Sequence, residues 1–250
     1  MTSGTRGDDV KGAGRRAAVT GAASGIGAAT ARRLMADGWR VACLDRNLEG
    51  ARATAAGAGL AIELDVADEA ATIDAFARIR DAWGGLDALV TAAGVIETTP
   101  FLDTTPAQFR RLFDINVIGT FLSVREAAKL MDRGARICLV ASISSYTGGG
   151  YVATGAYATS KGAVLTMMKS CARALGERGI AVNAVAPGFI DTPFVASAMS
   201  DPVRRKEVVS AVGKVGTAEQ IAECCAWLVS PAADFVHGAT LIADGGILMR

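Results

Sequence analysis

Short apolar runs alternate along the chain with stretches of helical periodicity, and this alternation constrains the fold more than any other feature. Parallel strands need long crossover connections, which helices usually supply. Such crossovers are right-handed and cover both faces of the sheet. The sequence therefore predicts an α/β fold, a doubly wound parallel sheet of about seven strands with helices on both faces, Rossmann-like in outline. The predicted strands are Ala17–Thr20, Arg40–Leu44, Ala61–Leu64, Ala88–Thr91, Arg136–Ala141, Ala181–Ala186 and Thr240–Ile242.

Apolar spacing places the helices between these strands. Residues Ile73, Phe76, Ile79 and Trp83 recur every three or four positions, and Gly84-Gly85 end the pattern. A second helix is marked by Phe109, Leu112, Phe113, Val117 and Phe121. No linker or composition break divides the chain. We therefore expect one dinucleotide-binding and catalytic domain over residues 15–250, preceded by a flexible lead of residues 1–14.

Charge and composition exclude several classes of function. The chain of 250 residues has 26 basic and 25 acidic side chains, so no basic surface for nucleic acid or a membrane is predicted. We see no apolar run long enough to cross a bilayer and no signal-peptide core, and we expect a cytoplasmic protein. The five cysteines form no CxxC pair and accompany a single histidine, which favours reduced thiols over disulfides or a metal site.

A glycine-rich turn follows the first predicted strand. The segment Thr20–Gly27 reads TGAASGIG, and a helical pattern comes after it. Glycines at Gly21 and Gly25 let a dinucleotide pyrophosphate approach the backbone, while Gly27 lets the helix pack against the strand. The helix N-terminus then offers free N–H groups and a positive dipole end. A glycine-rich turn alone is weak evidence, but a strand before it and a helix after it are the context that nucleotide binding requires.

Asp45 follows the second predicted strand and bears on the choice of nucleotide. A carboxylate there can accept hydrogen bonds from the adenosine ribose hydroxyls and would repel a 2′-phosphate. Arg46 could reduce that repulsion and so permit NADP. Residues 22–24, however, contain no basic side chain that could bind the extra phosphate, which favours NAD. We predict NAD as the cofactor, with NADP as the less favoured alternative. The other interpretation of Asp45 is a strand-end turn residue.

Tyr157 and Lys161 lie four residues apart near the start of an apolar helical segment that reaches about Gly176. Residues at this spacing share a helix face. A free phenol has a pKa of about 10, and a nearby ammonium lowers that pKa by favouring the phenolate. The pair can then exchange a proton with an alcohol or carbonyl oxygen while hydride moves to or from nicotinamide. Tyrosine and lysine at this spacing are also common on surfaces, so the pair alone decides nothing.

Further motifs surround this pair in a fixed order. They are Thr20–Gly27, Asp65-Val66, Ala92-Ala93-Gly94, Asn116, a serine after the fifth strand, Tyr157–Lys161, Pro187-Gly188 with Thr192, and Asp244-Gly245-Gly246. In this combination the sequence resembles the short-chain dehydrogenase/reductase family in its short, single-domain form, over roughly residues 15 to 247. One departure is Thr91 before the Ala92 motif, where the family usually has Asn. That Asn mainly stabilises the central sheet, so we expect little effect on the chemistry.

The resemblance implies a role for each matching residue. Tyr157 would be the general acid/base, and Lys161 would lower its pKa and hold the nicotinamide ribose. Asn116 would support a water-linked proton path from Lys161, and a serine hydroxyl would polarise the substrate oxygen. The implied cofactor-binding residues are Gly21, Ser24, Gly25, Ile26, Gly27, Asp45, Asp65, Val66, Ala93, Gly94, Tyr157, Lys161, Pro187, Gly188, Ile190 and Thr192. The resemblance also implies a homotetramer.

Two arguments conflict over the identity of the catalytic serine. Family members usually place it 13 residues before the tyrosine, which selects Ser144. The serine must also project from the end of the fifth strand, and counting along that strand selects Ser142. The sheet fixes the strand end, whereas the glycine-rich stretch 148–156 can absorb two extra residues at little entropic cost. We therefore predict Ser142, with Ser144 as the alternative and Ser145 as a third candidate.

Several candidates also have plainer interpretations. Asn116 could be a hydrogen-bonded structural amide, and Thr192 could cap a helix that begins near Pro193. His237 is expected to have a structural role. The basic stretch Arg204–Lys206 could attract an anionic substrate, but a solvated helix face is the favoured interpretation.

These observations together predict a metal-free, NAD-dependent oxidoreductase that moves hydride between nicotinamide and a small secondary alcohol or ketone. The substrate stays open. Its pocket would involve Ile96, Glu97, Ile143 and residues 151–154, beneath a mobile flap from Ile190 to about Val215. The rival functions are a nucleotide-sensing protein on the same fold and an NAD-dependent epimerase or dehydratase. The first usually lacks the tyrosine or the lysine, and the second usually carries a longer C-terminal substrate domain.

Overall fold

A parallel sheet of seven strands forms the centre of the molecule. The computed structural model describes residues 14–150, 154–193 and 210–249. The strands are β1 (Arg16–Thr20), β2 (Arg40–Asp45), β3 (Leu60–Glu63), β4 (Leu86–Thr91), β5 (Met131–Val140), β6 (Ala181–Pro187), β7 (Ile190–Asp191), β8 (Gly216–Thr217) and β9 (Thr240–Ala243). Their order in the large sheet is β3-β2-β1-β4-β5-β6-β9, and all neighbours are parallel. The short strands β7 and β8 pair separately.

Helices supply the connections between parallel strands. They are α1 (Gly25–Ala36), α2 (Leu48–Ala55), α3 (Glu69–Trp83), α4 (Pro106–Phe113), α5 (Gly119–Lys129), α6 (Ser144–Thr147), α7 (Gly155–Gly176) and α8 (Ala218–Val229). A π-helical segment (Asp114–Ile118) joins α4 to α5, and 3-10 turns occupy Phe101–Asp103 and Pro231–Ala233. Within the described parts of the chain, no helix combines the length and apolarity needed to span a membrane.

Two buried apolar clusters cover opposite faces of the sheet. Successive side chains of a strand point to opposite faces. In β5, Ile137 and Leu139 accordingly belong to one cluster, and Cys138 and Val140 belong to the other. Side chains of α3, α5 and α7 complete the first cluster, and side chains of α1, α2 and α8 complete the second. The prediction of a doubly wound sheet with helices on both faces is confirmed.

Local sequence fixes where several helices begin and end. The Asp68 carboxylate accepts a hydrogen bond from the Ala71 N–H and starts α3, and Gly84 ends that helix in a left-handed conformation. Thr217 and Gln220 form a reciprocal capping box at the start of α8. These caps satisfy N–H groups that would otherwise lack partners in the first turn. The N-terminus of α1 differs, as described below.

The structure shifts some predicted boundaries. Strand β5 begins at Met131 instead of Arg136, because its first residues pair with β4 across a register shift between Leu86 and Ala88. The apolar pattern did not reveal this start, because three of these residues are exposed and are polar or glycine. It ends at Val140, one residue before the predicted end. The helix predicted around Phe109–Phe121 is interrupted by the π segment. The predicted flexible lead, residues 1–14, falls almost entirely outside the described residues.

Candidate active site

The glycine-rich turn between β1 and α1 packs closely against the segment that follows β4. Gly21 has a φ of +70°, and a side chain there would come within 2.6 Å of the Ala93 backbone nitrogen. A Cβ at Gly27 would overlap the Gly21 carbonyl oxygen. A Cβ at Gly25 would meet the Thr192 methyl group at 3.5 Å, an ordinary contact. Glycine is therefore required at position 21 by the close approach of protein backbone, and the contact with a pyrophosphate expected there stays a prediction.

The N-terminus of α1 opens into a cavity. Ser24 occupies the N-cap position, but its side chain caps no backbone N–H, and the first turn contains no acidic residue. The residues of this turn line the cavity wall. An uncapped first turn leaves N–H groups and the positive end of the helix dipole free to receive an anion. This end of the cavity can therefore hold a phosphate.

The cavity has a volume of about 510 Å³ and extends along the carboxyl ends of the parallel strands. Such an edge is where open α/β sheets bind their ligands. The predicted site residues that line it are Gly21, Ser24, Gly25, Ile26, Gly27, Asp45, Asp65, Val66, Ala93, Gly94, Ser142, Tyr157, Lys161, Pro187, Gly188, Ile190 and Thr192. Asn116 is buried behind this wall. One cavity thus gathers nearly all the residues that the sequence motifs singled out.

Asp45 closes the β2 end of the cavity. One carboxylate oxygen accepts a hydrogen bond from the Ala23 N–H (3.0 Å) and the other accepts from the Asn47 N–H (2.8 Å). Arg46 is exposed and also lines the cavity. The plainer interpretation of Asp45 therefore applies, since its carboxylate anchors the glycine-rich turn. The same side chain lines the cavity, and its contact with a ribose stays a prediction.

Tyr157, Lys161 and Ser142 meet on one wall of the cavity. Tyr157 and Lys161 lie in the first turns of α7, and the Lys161 ammonium is 6.0 Å from the centre of the Tyr157 ring. The Lys161 Nζ donates to the Val140 carbonyl oxygen (2.9 Å) at the end of β5. The Ser142 hydroxyl is hydrogen-bonded to the Tyr157 hydroxyl. The spacing of Tyr157 and Lys161 therefore brings them to one site.

Burial is the main cause of the pKa shifts of Tyr157 and Lys161, the two α7 side chains at this site. It raises the pKa of Tyr157 to about 12, and the hydrogen bond with Ser142 opposes that rise. It lowers the pKa of Lys161 to about 8. The net shift of the Tyr157 pKa is opposite to the sequence-based expectation, because desolvation of the phenolate outweighs the groups that stabilise it. At neutral pH Tyr157 is therefore a protonated phenol.

The three candidate serines occupy different environments. Ser142 follows the end of β5 by two residues, is 8% exposed, and accepts a hydrogen bond from the Ser144 N–H (3.1 Å). Ser144 also lines the cavity but begins α6. The Ser145 hydroxyl is buried and has no hydrogen-bond partner among the described residues. The hydrogen bond to Tyr157 distinguishes Ser142 from the other two.

Asn116 lies in the π segment and is fully buried. Its Oδ1 accepts from the Val95 N–H (2.8 Å), and its Nδ2 donates to the Val95 carbonyl (3.0 Å) and to the Ser160 hydroxyl (3.0 Å). A Cβ at Gly94 would lie 3.1 Å from Oδ1 and 3.5 Å from the Lys161 Nζ. Asn116 is thus a hydrogen-bonded structural amide that sits beside Lys161, and its part in a proton path stays a prediction.

Comparison with known proteins identifies the family. A family model described as Enoyl-(Acyl carrier protein) reductase matches residues 21–248. The chain belongs to the short-chain dehydrogenase/reductase family. It is 38% identical over 245 residues to 2-(R)-hydroxypropyl-CoM dehydrogenase of Xanthobacter autotrophicus, with 92% of this chain and 97% of that protein covered.

Two further relatives agree with this assignment. The chain is 36% identical over 248 residues to sorbitol dehydrogenase of Cereibacter sphaeroides, with 93% of this chain and 97% of the relative covered. The solved structure of a short chain dehydrogenase from Burkholderia cenocepacia in complex with NADP has a TM-score of 0.87 at 35% identity, with 94% of this chain and 98% of that chain covered. The chain is therefore an oxidoreductase of the short-chain dehydrogenase/reductase family.

The part of the cavity beyond Tyr157 includes residues that the sequence motifs did not reveal. Ile96 and Ile143 were expected there and line the cavity, and Phe189 and Ile247 join them. Ile247 lies beyond the last strand, and only its closeness to the Asp244-Gly245-Gly246 motif could have signalled its position. Glu97 does not line the cavity; its carbonyl oxygen accepts hydrogen bonds from the Thr154 backbone and hydroxyl.

Some of the remaining predicted residues lie within the described parts of the chain, and others do not. The His237 Nδ1 accepts from the Val182 N–H (3.2 Å) and its Nε2 lies 3.0 Å from the Ala172 carbonyl oxygen, which supports a structural role. The Thr192 hydroxyl donates to the Ile190 carbonyl (3.4 Å). Residues 194–209 lie outside the described residues, so the predicted helix near Pro193, the Arg204–Lys206 stretch and most of the predicted flap are not described. Residues 151–153 are likewise outside them.

Potential metal ligands do not cluster in the described parts of the chain. All five cysteines are free, and no three His, Cys, Asp or Glu side chains come together there in a group that could hold a metal ion. The Cys138 and Cys225 thiols are hydrogen-bonded in the core, which together with burial raises the pKa of Cys138. The buried Cys138 thiol is therefore protonated and unreactive.

Proposed function

We propose that this protein uses NAD(H) to interconvert a secondary alcohol and the corresponding ketone, without a metal. The observation that carries the proposal is the hydrogen-bonded pair of Ser142 and Tyr157, with Lys161 beside it, in the cavity that the uncapped α1 N-terminus also lines. A proton donor and an anion-binding helix end are then available in one site, as a nicotinamide-dependent reaction requires.

The residues of the cavity suit a dinucleotide. The open start of α1 and the space at Gly25 would receive the pyrophosphate, and Asp45 would accept from the adenosine ribose. By family resemblance, Asp65-Val66 and Ala93-Gly94 would contact the adenosine, and Pro187-Gly188, Ile190 and Thr192 would hold the nicotinamide. When bound, the nucleotide supplies or accepts a hydride.

The protein's own groups would manage the proton. In carbonyl reduction Tyr157, which is protonated at neutral pH, would donate its phenolic proton to the substrate oxygen. Ser142 would donate a hydrogen bond to the same oxygen and stabilise the charge that develops there. Lys161 would stabilise the phenolate, hold the ribose hydroxyls, and receive a replacement proton along a path supported by Asn116.

We propose NAD as the preferred nucleotide on the basis of Asp45. Its carboxylate lines the cavity at the end of β2, where a 2′-phosphate would place like charges close together. Arg46 lines the cavity as well and keeps NADP as the alternative. The relative from Burkholderia cenocepacia in complex with NADP shows that this alternative occurs among similar proteins.

The experiment that tests the function follows NADH absorbance while a panel of secondary alcohols is offered with NAD. We expect turnover, and we expect Tyr157→Phe to lose about a hundredfold of it or more because the exchangeable proton is gone. Tyr146→Phe, which removes a hydroxyl outside the cavity wall, is the matched control. Turnover by Tyr157→Phe above about a tenth of the wild-type rate would contradict the assigned role. Nucleotide binding without conversion of any alcohol or ketone would favour the nucleotide-sensing alternative.

We also propose a single catalytic domain over residues 15–250, a homotetramer, and a cytoplasmic location. The homotetramer is supported by exposed apolar side chains in α8 and in the segment before β9, namely Trp227 (43% exposed) and Phe235. Apolar surface of this kind is often buried between the subunits of an oligomer. Light scattering that shows a monomer at micromolar concentration would count against the homotetramer.

A further inference from the structure

We infer that the substrate is an uncharged, predominantly apolar secondary alcohol or ketone, and not a polyol. This inference rests on the proposed function and adds the chemical class of the substrate. It is drawn from the part of the cavity wall that lies beyond Ser142 and Tyr157, on the side of β1 that holds β4, β5, β6 and β9.

Charged side chains are concentrated at the opposite end of the cavity. Asp45 ends β2, Arg46 follows it, and Asp65 lies just after β3. Strands β2 and β3 lie together on one side of β1 in the sheet. On the other side, among the lining residues that the structure describes, Lys161 alone carries a formal charge. Its Nζ is directed to the Val140 carbonyl and, in the proposed function, to the nicotinamide ribose. The described wall thus offers a substrate no further ion-pair partner.

Four bulky apolar side chains dominate this wall. Ile96 follows β4, Ile143 follows β5, Phe189 follows β6, and Ile247 lies in the loop after β9. Each of the four is only partly buried in the folded chain, so carbon surface is presented to the cavity. A substrate that covers this surface gains free energy in proportion to the apolar area removed from water.

The position of Ile247 is fixed by a buried carboxylate. Asp244 is 9% exposed, and its two oxygens accept hydrogen bonds from the Gly246 N–H (2.8 Å) and the Leu248 N–H (2.6 Å), on either side of Ile247. The negative charge of Asp244 is therefore used within the turn and is not directed at a substrate. A side chain held in this way is a defined part of the wall.

The polar groups around the wall are largely engaged with the protein. The Thr147 hydroxyl donates to the Gly149 carbonyl, and the Glu97 carboxylate accepts from Thr98 and Thr99. The hydroxyls of Ser142 and Tyr157, with Ser144 nearby, suffice for one reacting oxygen. Against the described side chains of this wall, a polyol would lose water from its other hydroxyls without compensating hydrogen bonds, which costs free energy for each one.

A homologous series of alcohols tests the inference. The kcat/KM for oxidation of 2-butanol, 2-pentanol, 2-hexanol and 2-heptanol with NAD should rise by up to about fourfold per added methylene while the chain covers the wall. Sorbitol should be a poorer substrate than any of them. A kcat/KM for sorbitol above that of 2-heptanol would overturn the inference and leave the proposed alcohol dehydrogenase function standing.

Variants at the C-terminal loop test the wall itself. Ile247→Ser should reduce the rise in kcat/KM for each added methylene, and Ile247→Val should largely retain that rise. Met249→Ser is the matched control, because Met249 lies two residues further on and is 78% exposed. An unchanged gain in a folded Ile247→Ser variant, with folding checked by its melting curve, would remove Ile247 from the wall and overturn the argument from this residue.

A binding measurement separates the substrate class from the chemistry. The tertiary alcohol 2-methyl-2-heptanol has no carbinol hydrogen and cannot be oxidised. Titration calorimetry with the NADH-loaded protein should show binding with a negative heat-capacity change, the mark of apolar burial, and no binding of sorbitol. If that result is obtained but no secondary alcohol turns over, the proposed function fails and the apolar site stands. Absence of binding by the tertiary alcohol would overturn the inference.

Discussion

The Ser142 hydroxyl is hydrogen-bonded to the Tyr157 hydroxyl, although Ser142 follows β5 and Tyr157 lies in α7. Strand β5 holds its end in place through parallel pairing with β4 and β6. Helix α7 packs against β6, and its Lys161 Nζ donates to the Val140 carbonyl at the end of β5. The two elements therefore hold the Tyr157 and Ser142 hydroxyls together before any substrate binds. Acid–base catalysis exploits this kind of preorganisation.

Substitution of the serines should separate the strand-end argument from the spacing argument. We expect Ser142→Ala to lower kcat by roughly a hundredfold or more, because the group that stabilises charge on the substrate oxygen is lost. Ser144→Ala is the matched control and should lower it much less, since Ser144 contacts Ser142 through its backbone N–H. Steady-state kinetics with one alcohol measures both. The reverse order would show that the family spacing is the better guide.

The part of the cavity wall that holds Tyr157, Lys161 and Ser142 could be predicted from sequence because each piece of it depends on local rules. Helical spacing places Tyr157 and Lys161 on one face, and the end of a buried strand brings Ser142 to the Tyr157 hydroxyl. The glycine pattern and the alternation of strands and helices likewise place the α1 N-terminus at the carboxyl edge of the sheet. These features need only the periodicity of each element and the parallel order of the strands.

Other features depend on contacts between distant segments and could not be predicted. The net pKa shift of Tyr157 follows from the depth of its burial, which spacing along the helix does not give. Asn116 pairs with both backbone groups of Val95 because the π segment places it there. Ile247 reaches the cavity only because Asp244 folds the loop after β9 back on itself. Each of these depends on the path of a loop or on packing between elements.

Cofactor preference should depend on the charge at Asp45. We expect wild-type protein to show a higher kcat/KM with NAD than with NADP on one substrate. Asp45→Asn keeps an oxygen that can accept a hydrogen bond from a backbone N–H but removes the negative charge that would repel a 2′-phosphate. The ratio of kcat/KM with NADP to kcat/KM with NAD should therefore rise about tenfold or more. Glu63→Gln is the matched control, because Glu63 is the register partner of Asp45 on β3 and lies outside the cavity wall. A wild-type preference for NADP would refute the choice of NAD.

Lys161 should make stability depend on pH in the alkaline range. Burial lowers its pKa from 10.5 to about 8 in the folded protein, so between these values the unfolded chain binds more protons than the folded one. The free energy of unfolding should therefore rise with pH in this window, and the lysine's unfavourable contribution is fully present below pH 8. From pH 7 to pH 9 the rise from this group should be about 1 kcal/mol.

The measurement is urea unfolding at the two pH values for wild type and Lys161→Met. Other groups also titrate, so the two proteins are compared. The rise in the free energy of unfolding from pH 7 to pH 9 should be smaller in Lys161→Met, because methionine has no proton to lose. Tyr157 does not interfere in this window, since its pKa of about 12 lies above it. Equal pH dependences in the two proteins would contradict a lowered lysine pKa.

Removal of the Asn116 side chain should affect stability and catalysis together. Asn116→Ala would leave the Val95 N–H and carbonyl and the Ser160 hydroxyl without their shared partner, and each buried group left unpaired costs about 1–3 kcal/mol. Urea unfolding should show a loss of that order or more. Because Val95 lines the cavity next to Ile96, the released loop should also raise KM for the alcohol. Asn116→Asp keeps the acceptor for the Val95 N–H and serves as the partial control. If Asn116→Ala unfolded at the wild-type urea concentration yet lost kcat alone, the residue would act in the proton path and not through the loop.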